Sequence, residues 1–170
     1  MALRIGELLE QRGVLTRGQV EEILAAQERE GRPFGVLAER MFHVDPEVIE
    51  GVWAEQYADL AGMVSLSGVV PTAEAREAVA PRQAWQFGIF PMREEDGELQ
   101  IATTRAMLTR ALRFAVRVLE RPCYFVLCDA RELGAALEEH YAFAGMRAGD
   151  LVQPLGASFS QASRLVQKDQ

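Results

Sequence analysis

Apolar residues recur through the first 56 positions in four short bursts, each at helical spacing and each bounded by turn or capping residues. Ile5, Leu8 and Leu9 form the first, and Gly13 closes it as a C-terminal glycine. Thr16, with Gln19 three residues on, is a capping-box start for the second, where Val20, Ile23, Leu24 and Gln27 fall on one stripe. Phe34, Leu37, Ala38 and Met41 make the third. Asp45 and Pro46, an N-cap followed by proline at the first helical position, open the fourth through Ile49, Val52, Trp53 and Gln56. The bursts are two copies of one pattern. A slide of 29 positions superposes Gly6 on Gly35, Leu8 on Leu37, Glu10 on Glu39, Glu21 on Glu50, Ala25 on Ala54 and Gln27 on Gln56. Ile5 and Phe34, Leu15 and Val44, Val20 and Ile49, and Leu24 and Trp53 keep their character across it. The pattern predicts a duplicated helical hairpin joined by a polar turn, Glu28 to Arg32. Two copies are too few for a solenoid, so four helices are expected to pack as one unit.

Beyond it the period changes. Leu60 to Val70 is rich in small residues and reads as a joint. A short helix is expected from Pro71 and Thr72 to Val79 and a helical turn over Pro81 to Gln86, then strands over Phe87 to Met92 and Glu98 to Thr103 with an Asp96-Gly97 hairpin turn. Met107, Leu108, Ala111, Leu112, Ala115, Val118 and Leu119 mark an amphipathic helix stopped by Pro122. Cys123 to Cys128 is a run suited to a strand buried on both faces, and Asp129 caps a last helix carrying Leu133, Leu137 and Tyr141. The fold class expected is α+β: a four-helix unit of two tandem hairpins over 1–60, a three-stranded α/β subdomain over 70–144, and a flexible tail over 145–170. Leu151, Val152, Phe159 and Leu165 of that tail are available to dock on a partner.

Composition narrows the chemistry. The chain is 49% hydrophobic, 25% charged and carries a net charge of −7, which disfavours an extended DNA or RNA surface. No run reaches the length of a membrane span and no charged-then-apolar leader is present, so no membrane insertion and a cytoplasmic location are expected. Cys123 and Cys128, five apart on a strand, point to opposite faces and read as buried thiols rather than a disulfide. Trp53 and Trp85 are expected in the core. No GxSxG elbow and no zinc spacing around His43 or His140 is present. Glu94, Glu95 and Asp96 read as a hairpin tip, and His43 as a loop residue. No catalytic residue, metal ligand or required cofactor is expected.

Arg4-Ile5-Gly6, then Gly13, Leu15 and a helix ending in Gln27, repeated in altered form after a five-residue spacer, resembles the MshEN domain. That domain is the N-terminal part of type II secretion and type IV pilus assembly ATPases, and several members bind cyclic di-GMP across the two motifs. Val70 to Tyr141 resembles the second half of the same region. The P-loop domain of those ATPases follows this region. Here no GxxxxGK[ST] occurs and the only lysine is Lys168, so a non-enzymatic module is expected. The second copy departs from the family pattern: Pro33 stands where arginine is frequent, Ala38 where leucine is usual, and Phe42 where the second glycine would fall. A side chain at a left-handed position costs roughly 1–2 kcal/mol, so either the turn is rebuilt or the pocket is narrowed.

The resemblance implies a ligand set of Arg4, Ile5, Gly6, Leu9, Gly13, Gln27, Pro33, Phe34, Gly35, Ala38 and Gln56 for cyclic di-GMP or a related nucleotide. Arg4 supplies a planar cationic fork, Gly6 and Gly35 allow backbone approach, helix N-termini offer amides, and Ile5, Leu9 and Phe34 form apolar walls. Core packing for the apolar residues and close helix contact for the glycines account for the same pattern. A protein-interaction adaptor that kept the fold and lost the ligand is therefore the alternative, and a protein partner is expected in either case. A further candidate is the row Arg110, Arg113, Arg117 and Arg121, which reads as a solvated helix face or as a dock for an acidic partner.

Overall fold

The computed structural model describes residues 4–152, and the chain divides into two compact units, one ending at Ala61 and the other beginning at Gly62.

In the first unit, α1 spans Ile5–Gln11, α2 Arg17–Glu30, α3 Phe34–Phe42 and α4 Pro46–Leu60. The caps follow from the sequence. Gln19 N–H donates to Thr16 Oγ1 at 3.3 Å while Thr16 N–H donates to Gln19 Oε1 at 2.8 Å, and Asp45 Oδ1 accepts from Glu47 N–H at 2.8 Å. Leu8, Leu9, Leu15, Val20, Ile23, Leu37, Ala38 and Val52 form the buried core of this unit. Each large aliphatic side chain removed from water there contributes about 1.5–3 kcal/mol. α2 runs on to Glu30 and stops at Gly31 (φ 66°), so the joint between the copies is Gly31 to Pro33, shorter than the polar turn expected from Glu28. Glutamate and arginine sustain an exposed helix, and only the left-handed glycine ends it. Ion pairs tie the helices together, Arg40 to Glu30 at 2.8 Å and Arg12 to Glu55.

The turn after α3 is rebuilt. In the first copy Gly13 is left-handed (φ 68°) and Leu15 N–H reaches Leu9 O at 3.3 Å. In the second, Phe42 stays helical and the left-handed residue is His43 (φ 54°), one position later, while Val44 N–H still reaches Ala38 O at 3.5 Å. The closing bond survives because the strain moved off the phenylalanine. Trp53 is a correction: it is 46% exposed, since α4 buries Val52, Ala54 and Ala58 instead.

The second unit holds a three-stranded sheet in the order β1 (Ile89–Glu95), β2 (Glu98–Thr103), β3 (Cys123–Leu127), with β1 and β2 antiparallel and β2 and β3 parallel. Its helices are α5 (Ala73–Glu77), α6 (Pro81–Phe87), α7 (Leu108–Phe114) and α8 (Ala130–His140). Asp96 (φ 51°) and Gly97 (φ 79°) are both left-handed, which suits a two-residue hairpin turn. β1 begins at Ile89 rather than Phe87, because Phe87 closes α6 and stacks on Phe114 with centroids 4.3 Å apart. Tyr141 joins four elements: Trp85 Nε1 donates to its carbonyl at 2.7 Å, and its hydroxyl lies 3.3 Å from Ala75 O and 3.2 Å from Pro91 O. The stretch expected as a joint is mostly structured. Val64 N–H donates to Leu127 O and Leu127 N–H to Gly62 O, both at 2.8 Å, and Glu132 accepts from Ser65 Oγ and Leu66 N–H.

Two further expectations change. The helix expected over Met107 to Glu120 is α-helical only to Phe114; Ala115–Leu119 widens into a π-turn, and Val118 is 50% exposed instead of sharing the buried stripe. The segment after Ala144 is structured as far as it is described. Ala148–Leu151 forms a 3-10 turn packed on α8, where Glu138 accepts from Ala148 N–H at 2.8 Å and pairs with Arg147 at 3.5 Å. The reason is Gly134, whose missing side chain makes room: a β-carbon there would lie 2.2 Å from Ala148 O. Phe159, Leu165 and the rest of the expected tail lie outside the described residues.

Gly134→Ala raises helix propensity by about 1 kcal/mol yet clashes with a backbone atom. It should therefore leave α8 helical and free Arg147 to Val152, read as faster amide exchange confined to that segment. Unchanged exchange there would show that the contact is not needed.

Burial pushes the Cys128 thiol from its usual 9.0 up to about 12, with Glu132 and Asp129 adding to it, and burial pushes Tyr141 from 10.0 to about 12. Both groups hold their protons more tightly when folded, so their stabilisation is complete below the unfolded values and is lost as pH climbs to the folded ones. Urea midpoints should hold steady up to pH 9 and fall toward pH 12. A midpoint unchanged across that window would refute the linkage.

Candidate functional site

The candidate residues divide by burial. Arg4, Gly13 and Pro33 are exposed; Ile5, Gln27, Gly35 and Gln56 are half-buried; Gly6, Leu9, Phe34 and Ala38 are buried. Arg4 caps α1 and Pro33 caps α3, so the repeat places an exposed residue at the head of each short helix. The two heads differ. Arg4 N–H donates to Glu7 Oε2 at 2.7 Å, which sets a carboxylate at the start of α1; the equivalent residue in α3 is Val36, which is exposed. Glu7 favours the helix by opposing its dipole, and for the same reason competes with any anion at that end.

The glycines have a definite job. A β-carbon at Gly6 would lie 2.9 Å from Val20 Cγ1, and one at Gly35 would lie 2.8 Å from Ile49 Cγ2. Val20 and Ile49 are themselves related by the 29-residue slide, so the duplication is conserved as a contact: a glycine of the first helix receives a branched side chain of the second. The Phe34 ring also closes over Gly6, 3.2 Å from the place a β-carbon would take, which packs the start of α1 against the first residue of α3. Ile5, the counterpart of Phe34, makes no such approach at Gly35, which stays partly open. Val20 and Ile49 are the residues a reading of motifs alone passes over, and their signal was the branched side chain retained in both copies.

Electrostatics at the site rest on few cations. Up to Ala61 the chain has six arginines against twelve aspartates and glutamates, so this unit carries most of the net charge of −7. Arg12 and Arg40 are taken by Glu55 and Glu30, and Arg32 lies 3.8 Å from Glu30. The guanidinium of Arg4 has no ion pair among the described residues, which makes it the cation at the head of α1 able to meet an incoming anion or planar base edge.

The second unit offers less. The arginine row is not a continuous cationic face: Arg110 lies over the Phe87 ring at 5.7 Å, Arg121 pairs with Glu94, and the π-turn breaks the helical register before Arg117. Burial first, then Glu98, raises the Cys123 thiol as well, so neither cysteine is a ready nucleophile. Among the described residues no group of His, Cys, Asp and Glu could hold a metal ion, and no helix is long and apolar enough to cross a membrane.

Comparison with known proteins gives three kinds of likeness. The profile of the MshEN domain matches residues 59–147, a little over half of the chain and almost wholly within the second unit. The type IV pilus assembly ATPase PilB of Thermus thermophilus is 30% identical over 125 residues; the match takes in 74% of this chain and 14% of PilB. Among solved structures, MshE with cdg is matched at a TM-score of 0.45 and 20% identity over 82% of this chain and 99% of that one. The N-terminal domain of XpsE is matched at 0.43, with 20% identity over 81% of this chain and 94% of that one.

Gly6→Ala tests the contact that sets the head of the site. Overpacking against Val20 and Phe34 costs about 1–3 kcal/mol and outweighs the gain of about 1 kcal/mol in helix propensity. The urea midpoint should fall, and Val20→Ala in the same chain should recover part of the loss. A Gly6→Ala protein as stable as the parent would mean that the helices separate there without cost.

Proposed function

Because the chain belongs to the MshEN domain family, we propose that its first unit is a regulatory site for cyclic di-GMP or a related nucleotide, and that occupancy is relayed to a protein partner in a secretion or pilus system. The carrying observation is that the duplicated helix heads are packed together, with an exposed Arg4 whose guanidinium has no ion pair among the described residues at one and the half-buried Gly35 at the other. Several members of the family bind a two-fold ligand across two such motifs, and the duplicated hairpin supplies two copies of the motif.

In this reading Arg4 meets a guanine edge or a phosphate, Ile5 and Pro33 flank the base, Gly35 admits the ligand to the backbone, and Gln27 and Gln56 donate from the second helix of each copy. Gly13 keeps the loop after α1 in its left-handed turn. Gly6, Leu9, Phe34 and Ala38 are buried and hold the heads in register, touching ligand only through what they position. Arg32, next to Pro33 and only loosely held by Glu30, can supply the cation that the second motif lacks at Pro33 itself. The unit acts in the cytoplasm and performs no catalysis. A second reading, a protein adaptor with a degenerate site, is favoured by one observation: Val20 and Ile49 already occupy the space at both glycines.

Titration calorimetry separates the two readings. Binding of cyclic di-GMP in the micromolar range, weakened at least about tenfold by Arg4→Ala, is expected from loss of one charged contact. No heat at high micromolar ligand would leave the adaptor standing, and binding indifferent to Arg4→Ala would move the site away from the head of α1.

A further inference from the structure

The chain after α8 runs back along that helix toward its start. Arg147 pairs with Glu138, and the backbone of Ala148 lies over Gly134, whose missing β-carbon makes the room. Further on, Ala148, Gly149 and Val152 line a groove with Arg131, in the first turn of α8, and its volume is about 380 Å³. Three of these four residues have no polar side-chain atom, and the stem of the exposed Arg131 is itself apolar. The groove is open rather than filled from within the unit. A β-carbon added at Gly149 would meet nothing within 4 Å, and Val152 is 49% exposed at the rim.

The sequence supplies an occupant at this place. Val152, one wall of the groove, is the last described residue, and Gln153, Pro154, Leu155 and Gly156 come next in a chain that continues to Gln170. Proline second and glycine fourth in such a run is the signature of a type I turn, which reverses the direction of the chain. Leu155 is three residues past Val152 and so stands within roughly 10 Å of it even at full extension. The next large apolar residue, Phe159, is four positions further away.

We propose that Leu155 folds back into this groove, against Val152, Ala148 and the stem of Arg131, so that the segment from Pro154 onward straps the start of α8. The contact prolongs the one that Gly134 begins, because Ala148, Gly149 and Val152 provide most of the groove. It is apolar, so added salt leaves it in place, where a contact between exposed charges would weaken. A partner that reaches the start of α8 has first to displace the chain's own leucine. Nothing in this depends on the site at Arg4.

Methyl-labelled full chain tests it by nuclear Overhauser effects. Cross-peaks are expected from the Leu155 methyls to those of Ala148 and Val152, within one chain and unchanged by salt. Amide exchange over 154–159 should be at least about tenfold slower in the parent than in Leu155→Asp, with the sheet and α8 exchanging alike in both. Gly149→Leu fills the groove from the other side and should release Leu155 as completely as Leu155→Asp does. Absence of those cross-peaks overturns the proposal, as does exchange over 154–159 that ignores both substitutions. Cross-peaks seen only between differently labelled chains would also overturn it, since the groove would then be taken by a second copy.

Discussion

Three helical glycines among the described residues allow close approaches because a β-carbon is absent. At Gly6 and Gly35 a branched side chain, Val20 or Ile49, enters the space, and at Gly134 the backbone of Ala148 does. Each helical glycine gives up roughly 1 kcal/mol of helix propensity. The return is that two elements meet at a separation no other residue permits, and that the meeting has one register. In the first unit this fixes how each hairpin closes. In the second it decides where the chain goes after α8, with Glu138 holding the same segment from one turn further on.

The duplicated hairpins are alike where they pack and unlike where they face solvent. The glycine and its branched partner are kept in both copies, as are the carbonyls of Leu9 and Ala38 that close the turns. The helix heads have diverged, with Arg4 against Pro33, Glu7 against Val36, and an Ile5 that does not approach Gly35 against a Phe34 that covers Gly6. Packing constrains a residue from every side, and solvent from few. Any ligand spanning the two heads therefore meets two unequal halves, in a unit whose charge is strongly negative.

Elements were legible in the sequence wherever a cap and a period agreed. Thr16 with Gln19, Asp45 with Pro46 and Asp129 each mark a boundary that the hydrogen bonds reproduce, and Asp96 with Gly97 one that the backbone angles reproduce. Trp53 was not legible, because a helical period shows which residues share a side but not how wide the buried arc is. On α4 the arc is lined by Val52, Ala54 and Ala58, small enough for close packing, and it stops short of the tryptophan. The π-turn escaped for a related reason, since apolar residues at 115, 118 and 119 satisfy the helical template whichever way the turn winds. The order of 147–151 is imposed by Gly134 and Glu138, which no local pattern reveals. As for the site, the glycines were visible and their packing partners were not: a ligand and a neighbouring helix make the same demand on sequence, and the structure shows that Val20 and Ile49 approach them.

The sheet is small and each margin is blocked at one place. Along β3, Leu127 exchanges both of its backbone bonds with Gly62 and Val64. Along β1, Pro91 has no N–H to give and its carbonyl faces the Tyr141 hydroxyl, while the carbonyl of the bulged Met92 takes Thr72 N–H. A visiting peptide that added itself as a fourth strand would meet these occupied positions on either margin. Each block shortens the stretch over which another strand could pair, which works against edge-to-edge aggregation.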